Sequence, residues 1–318
     1  MKYALALAIT LASPLGASDF SAPLLDWPVD CVLNHSCHLQ QYVDHDPGPG
    51  AKDFRCDALS YDGHKGTDIA LPSLAAMMAG VSVRAAADGI VAGLRNDMAD
   101  LRYENGTDLQ GRDCGNGVVL QHSDGWETQY CHLKQGSVQV TVGQSIAAGT
   151  ALGEIGLSGK TQFPHLHLSV RHNGAVVDPF AATFNTCDAA QQSLWSTSLP
   201  YEPGGLISVG FSQAVPSYDA IRAGTTRADL TTTSPAMVVW GYLYGAQKND
   251  VVQLQIHGPK GEVIAHSDIL DKDQAQLFRA AGKRLRAPNW PQGIYHGTAR
   301  LIRDGVLVDS KTIELTLN

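Results

Sequence analysis

The chain is short of positive charge. Its 318 residues hold 23 lysines and arginines against 31 aspartates and glutamates, a formal net charge of -8. No long run of Lys or Arg occurs. Both facts argue against nucleic-acid binding, which rests on basic patches. They also argue against a general pull toward an anionic cell wall, so any such attraction is local. Long apolar runs are equally scarce. Beyond the first residues, no stretch is long enough to be read as a membrane helix. Helical periodicity is rare, and the two halves are not repeats of each other. With 44% hydrophobic and 17% charged residues, the composition is that of a globular protein, not a disordered one. The length suffices for two ordinary domains.

What is present starts at the N-terminus. Lys2 supplies a short positive start, Tyr3 to Ala12 form an apolar run, and small residues follow to Ala17. This pattern predicts a signal peptide over residues 1–17 and an exported protein, periplasmic or secreted. No Cys sits at the expected cut, so no lipid anchor is expected there. Six cysteines fit an oxidising compartment: Cys31, Cys37, Cys56, Cys114, Cys131 and Cys187. The full connectivity is not readable from sequence. Cys31 with Cys37 is expected as a local loop, and Cys114 with Cys131 as a bridge between neighbouring strands. A zinc site of Cys31, Cys37 and His38 is the competing reading, and its spacing matches no usual finger.

Residues 18–50 are polar and turn-rich and end in Asp46-Pro47-Gly48-Pro49-Gly50. They read as an extended N-terminal segment with little core of its own. Residues 51–187 alternate short β-type runs with Gly and Asp turns. Val81 to Ala85, Gly117 to His122, Glu127 to Leu133, Ser137 to Val142, Ala151 to Ile155 and Leu166 to Val170 are the expected strands. Ser123-Asp124-Gly125-Trp126 signals a hairpin between the second and third of them. A linker is expected over 188–205, with a short helix at Gln191 to Trp195. Residues 206–318 carry a second series: Ile207 to Phe211, Met237 to Leu243, Val251 to His257, Ile294 to Arg300 and Thr312 to Leu317. Their spacing predicts a small β-sandwich of immunoglobulin-like type. Asp271 to Gly282 is the one helical candidate within it. The fold class is therefore mostly β, in two successive domains.

Four histidines and one aspartate carry the chemistry. His64 and Asp68 lie in Gly63-His64-Lys65-Gly66-Thr67-Asp68, His132 in Tyr130-Cys131-His132-Leu133, and His165 and His167 in Pro164-His165-Leu166-His167-Leu168. Residues two apart on a strand share a face, so His165 and His167 present two imidazoles side by side. Two imidazoles and one carboxylate make a zinc site that leaves a position open for water. His64, Asp68 and one histidine of the pair supply that set. The remaining histidine and His132 are then placed to orient a water or stabilise an oxyanion. An H-x-H pair alone is weak evidence, and the other eight histidines read as ordinary.

These segments resemble the lysostaphin-like, or LytM-like, metallopeptidases of family M23. The three motifs occur in the family's order, with Gly156-Leu157-Ser158-Gly159 running into the last. The resemblance covers residues 51 to about 182 and implies an antiparallel β peptidase domain. It implies that His64, Asp68 and His167 bind zinc and that His132 and His165 are the catalytic pair. It implies hydrolysis of peptide cross-links in bacterial peptidoglycan. Some relatives have lost metal ligands and act as regulators that activate a partner amidase, which is the alternative here; this sequence keeps all five residues. It departs from the family at Gly117, where an aromatic is more common, and at Leu168-Ser169, where Phe-Glu is frequent. Both positions bear on the substrate pocket more than on the metal. Residues 206–318 carry no comparable motif and are expected either to bind wall or a partner, or only to stabilise.

Overall fold

A computed structural model describes residues 22–183 and 192–318. The expected signal peptide and Cys187 lie outside the described residues. The N-terminal region holds ten strands: β1 (His38–Gln41), β2 (Thr67–Ala70), β3 (Ser82–Arg84), β4 (Gly89–Arg95), β5 (Asn116–Gln121), β6 (Trp126–Leu133), β7 (Ser145–Ile146), β8 (Ala151–Glu154), β9 (His165–His172) and β10 (Ala175–Val177). One short helix, α1 (Leu74–Met78), follows β2. The C-terminal region holds β11 (Gly205–Ser212), α2 (Tyr218–Ala223), β12 (Ala236–Ala246), β13 (Val251–Gly258), β14 (Gly261–Ile269), β15 (Gln274–Arg284), β16 (Gly293–Arg303) and β17 (Val306–Leu317). The protein is mostly β, and every strand pair is antiparallel.

The main N-terminal sheet runs β1-β2-β9-β6-β5-β4-β7, with β10 beside β9 and a separate β3-β8 pair. Its centre, β9, alternates large apolar side chains with the two histidines. Leu166, Leu168 and Val170 point into the core on one face, so His165 and His167 are left for the other. The β5-β6 hairpin turns through Ser123–Gly125 as expected.

Residues 22–50 are extended but not peripheral. Leu25, Val29, Leu39 and Tyr42 are fully buried in the N-terminal core, and β1 pairs with β2 at the sheet's edge. The polar composition hid this role, because the few apolar residues of the segment are the ones inserted.

The C-terminal strands form two sheets, β11-β12-β15 and β14-β13-β16-β17. They face each other across a second core that includes Phe211, Val239, Leu254 and Tyr295. Seven strands in two packed sheets is the arrangement expected of an immunoglobulin-like sandwich. The helix expected at Asp271 to Gly282 is instead β15. Its Ala- and Gln-rich composition favours helix, but β12 pairs with it from Ala236–Arg284 to Ala246–Gln274. Tertiary pairing overrides local propensity. β15 uses both faces: Leu277 and Ala281 enter the second core, while Phe278 and Ala280 pack on the first. Two-sided burial gave the strand no alternation to read. The short helix expected at Gln191 to Trp195 is also absent from residues 192–195; Trp195 makes a single bridge to Leu25, and Gln191 lies outside the described residues. Ser137 to Val142 forms no ladder but keeps Val140 buried.

The two regions share their first core. Ile207, Trp240, Tyr242 and Tyr244 turn outward from the sandwich and are buried with Leu39 and Tyr42. Gln276 Nε2 donates to Gln40 Oε1 at 2.8 Å, and Gln40 Nε2 donates to Ala275 O at 3.0 Å. Cys31 bonds Cys37 and Cys114 bonds Cys131, the two pairs expected. Cys56 is disulfide-bonded as well.

Candidate metal centre

β2 and β9 bring the site together by register. Asp68 lies directly opposite His167, and Ala70 opposite His165. His64 reaches the same place from the turn before β2. Its ring Nε2 is 3.2 Å from Asp68 Oδ1 and 3.2 Å from His167 Nδ1. His167 Nδ1 lies 2.8 Å from the same carboxylate oxygen. One ligand atom from each of the three lies within 4.8 Å of the others. Gly66 is required beside them: a Cβ there would come within 2.6 Å of His167 Nε2 and 2.7 Å of Leu168 O. The glycine lets the backbone pass under the His167 ring.

His132 arrives differently. The β5-β6 pairing shifts register between Asn116 and Val118, and His132 takes a left-handed backbone with φ 63°. A bulge of this kind re-aims a side chain at a local conformational cost. Its backbone N–H donates to Cys114 O at 2.8 Å, next to the Cys114–Cys131 bond. The result sets the His132 ring centroid 4.6 Å from that of His165. The same bond explains Gly117. A Cβ at that position would stand 2.9 Å from Cys114 Sγ and 2.5 Å from Tyr130 O, so no aromatic fits there.

Hydrogen bonds fix the ring tautomers. The Nδ1–H groups of His64, His132 and His165 donate to the backbone oxygens of Tyr42 (2.6 Å), Ser158 (2.8 Å) and Phe163 (3.0 Å). His167 is the reverse, with Nε2–H toward Ser169 Oγ at 3.1 Å. Each ring therefore turns a lone pair inward. The protein atoms alone leave lone pairs of His64, His167 and Asp68 facing one another about a common point. A cation between them, or a proton shared between His64 and Asp68, satisfies such an arrangement. A neutral-imidazole pair with one carboxylate suits a borderline ion of zinc type. The donor set fits that metal.

The electrostatics agree. Burial alone would raise the Asp68 carboxyl, but His64, His165 and His167 hold it well below the usual carboxylate range. Burial opposes charge on His64, yet Asp68 draws its proton affinity up. Burial pushes His132 well below the usual histidine range, and His165 and His167 push the same way. Burial also lowers His167. His132 is thus held neutral.

All five residues singled out from sequence meet here. The supporting groups were missed. Tyr42 O and Ser158 O are backbone atoms and leave no side-chain signal. Ser169 was within reach of the reasoning, since it stands two positions after His167 on the same face. Tyr61, whose ring lies 4.4 Å from that of His64, had no spacing to mark it.

The family and sequence comparisons fall on the same stretch of chain. The profile of Peptidase family M23 matches residues 62–179. The DD-carboxypeptidase/endopeptidase Mpg of Neisseria meningitidis serogroup B is 31% identical over 130 residues, 40% of this chain and 24% of that protein. The peptidoglycan DD-endopeptidase ShyA of Vibrio cholerae is 31% identical over 119 residues, 37% of this chain and 23% of that protein. The match therefore spans about a quarter of these relatives. A solved zinc-containing peptidase from Vibrio cholerae aligns with 44% of this chain and 38% of its own, at 25% identity and a TM-score of 0.29. The stretch that matches the Peptidase family M23 model, residues 62–179, contains every residue of the centre described above.

Proposed function

We propose that the protein is a zinc-dependent endopeptidase that hydrolyses peptide cross-links of bacterial peptidoglycan. The observation that carries this reading is the convergence of His64, Asp68 and His167 beside two further buried imidazoles. In this reading His64, Asp68 and His167 hold the metal, and His132 and His165 are the catalytic pair. A bound zinc supplies Lewis-acid polarisation of the scissile carbonyl and an acidified water.

The chain's own residues handle the protons. His132 Nε2 carries the lone pair, because Nδ1–H is committed to Ser158 O. It accepts a proton from the attacking water as oxygen bonds to the carbonyl carbon. His165, equally buried and oriented by Phe163 O, faces the same point. When the C–N bond breaks, the departing amine takes up one proton from this imidazole pair, and both rings end neutral. Orienting two bases by backbone carbonyls fixes their geometry before substrate arrives. Export to the periplasm or outside belongs to the same proposal, supported by the oxidised cysteines.

Elemental analysis of the purified protein, paired with digestion of sacculi with and without a chelator, tests the proposal. The expected result is about one zinc per chain and chelator-sensitive release of muropeptides. Zinc-free protein with no release would instead favour a regulator that activates a partner amidase.

A further inference from the structure

Thr161 to Pro164 lead into β9 and set the position of His165. All four of their backbone carbonyls accept hydrogen bonds, and three of them do so from separate parts of the molecule. Thr161 O accepts from the Tyr103 N–H at 2.8 Å, in the long segment between β4 and β5. Phe163 O accepts from the ring Nδ1 of His165 at 3.0 Å and from Thr161 Oγ1 at 2.7 Å. Pro164 O accepts from Leu71 N–H at 2.9 Å, just past β2. Gln162 O accepts from Arg222 Nη2 at 2.6 Å. Arg222 is on α2, in the C-terminal region.

Arg222 is itself well held. Its guanidinium lies 5.4 Å from the Tyr218 ring centroid, and its side chain is only 20% exposed. Tyr218 stacks on Phe278 of β15 at 5.9 Å. Gly224 ends α2 with φ 72°, where a Cβ would come within 2.6 Å of Ser73 Oγ. Asp219, the neighbour of Arg222 on α2, also lies 3.9 Å from Arg102, next to Tyr103. The loop is thus clamped between a peptidase segment and the C-terminal helix, with Phe163 stacked on His165 at 4.5 Å.

We propose that Arg222 is a positioning residue for His165: the C-terminal region sets the geometry of the catalytic loop through Gln162 O. The inference rests on the role proposed for His165. It assigns residues 206–318 a part in the peptidase site itself. A guanidinium suits the task because its planar fork donates to Gln162 O while its face lies on Tyr218.

The test reads the His165 ring directly, in full-length zinc-loaded protein labelled with nitrogen-15 histidine. In Arg222→Ala, solvent exchange of the His165 Nδ1–H should rise about tenfold, the effect of losing one charge-assisted hydrogen bond. The ring N–H groups of His64 and His132 should keep their wild-type rates. Arg222→Lys should fall between the two, and it replaces the alanine variant if that variant does not fold. In an active protein, kcat should drop with His165 exchange while KM and zinc content hold. Unchanged His165 exchange would overturn the proposal, and so would equal acceleration at all three rings, which is general loosening. An inactive wild type counts against the peptidase reading, and ring exchange still decides the role of Arg222.

Discussion

Up to residue 183 the described chain buries His38, Gln40, Asp53, His64, Thr67, Asp68, Asn116, Thr128, His132, Ser158, Thr161, His165, Ser169 and Asp178. From residue 205 onward its buried polar side chains are Ser212, Ser234 and Asp250, among the described residues. The last three have local duties: Asp250, for instance, accepts from Arg303 and from Gln247 N–H. The N-terminal residues do more than local work, because several of them converge. Burying polar groups is costly unless each is partnered. Three of the N-terminal residues, His64, His132 and His165, are aimed by backbone carbonyls toward one another and toward Asp68. The sandwich is organised for packing, and it lends one packed face to its neighbour.

Four experiments break or sharpen that contrast. The largest effect belongs to the chemistry. His132→Ala should keep its zinc and lose about 10²- to 10⁴-fold in kcat, the usual worth of a general acid–base group; wild-type turnover would remove His132 from the mechanism. Next comes the shared core. Trp240→Ala should cost about 3–5 kcal/mol and should shift one common melting transition. Two separate transitions, with only the later part of the chain affected, would show that the regions fold independently.

The third experiment uses pH. His38, packed 4.4 Å from the Tyr244 ring across the shared core, is pushed by burial down to about 4. The unfolded chain takes up that proton near the ordinary value of about 6.5. Stability is therefore full above that pH, falls as pH drops toward 4, and flattens below. The loss attributable to His38 reaches about 3 kcal/mol. Unfolding free energies from urea titrations at pH 7 and pH 4.5 should differ by about 2 kcal/mol less in His38→Gln than in wild type. The smallest effect concerns the hydroxyl behind a ligand. Ser169→Ala should weaken zinc about 10- to 100-fold, measured by competition with a chromogenic chelator; unchanged affinity would leave the His167 ring to hold itself.

The contrast also explains what the sequence made legible. His64, Asp68, His132, His165 and His167 could be read because side-chain identity and order carry the pattern. The bulge at His132 could not, since a left-handed histidine depends on the β5-β6 register and the Cys114–Cys131 bond together. β15 was read as helix because both its faces are covered, and only long-range pairing decides its state. The insertion of Leu25, Leu39 and Tyr42 into the core was hidden by the polar residues between them. What failed in each case was information held by distant chain segments.

Gln40 and Gln276 stand 236 positions apart in the chain, yet their hydrogen bond anchors the strand that leads to Tyr42, the residue whose carbonyl orients His64. Contacts of such separation close late, after a large loop entropy has been met, and they slow folding. A nascent chain that has made every motif residue, up to His167, still lacks the segment that locks its first strand. The candidate metal centre therefore leans on a contact that cannot form until Gln276 has been made. The stretch of chain from His167 to Gln276 separates the appearance of the motif residues from the appearance of that support.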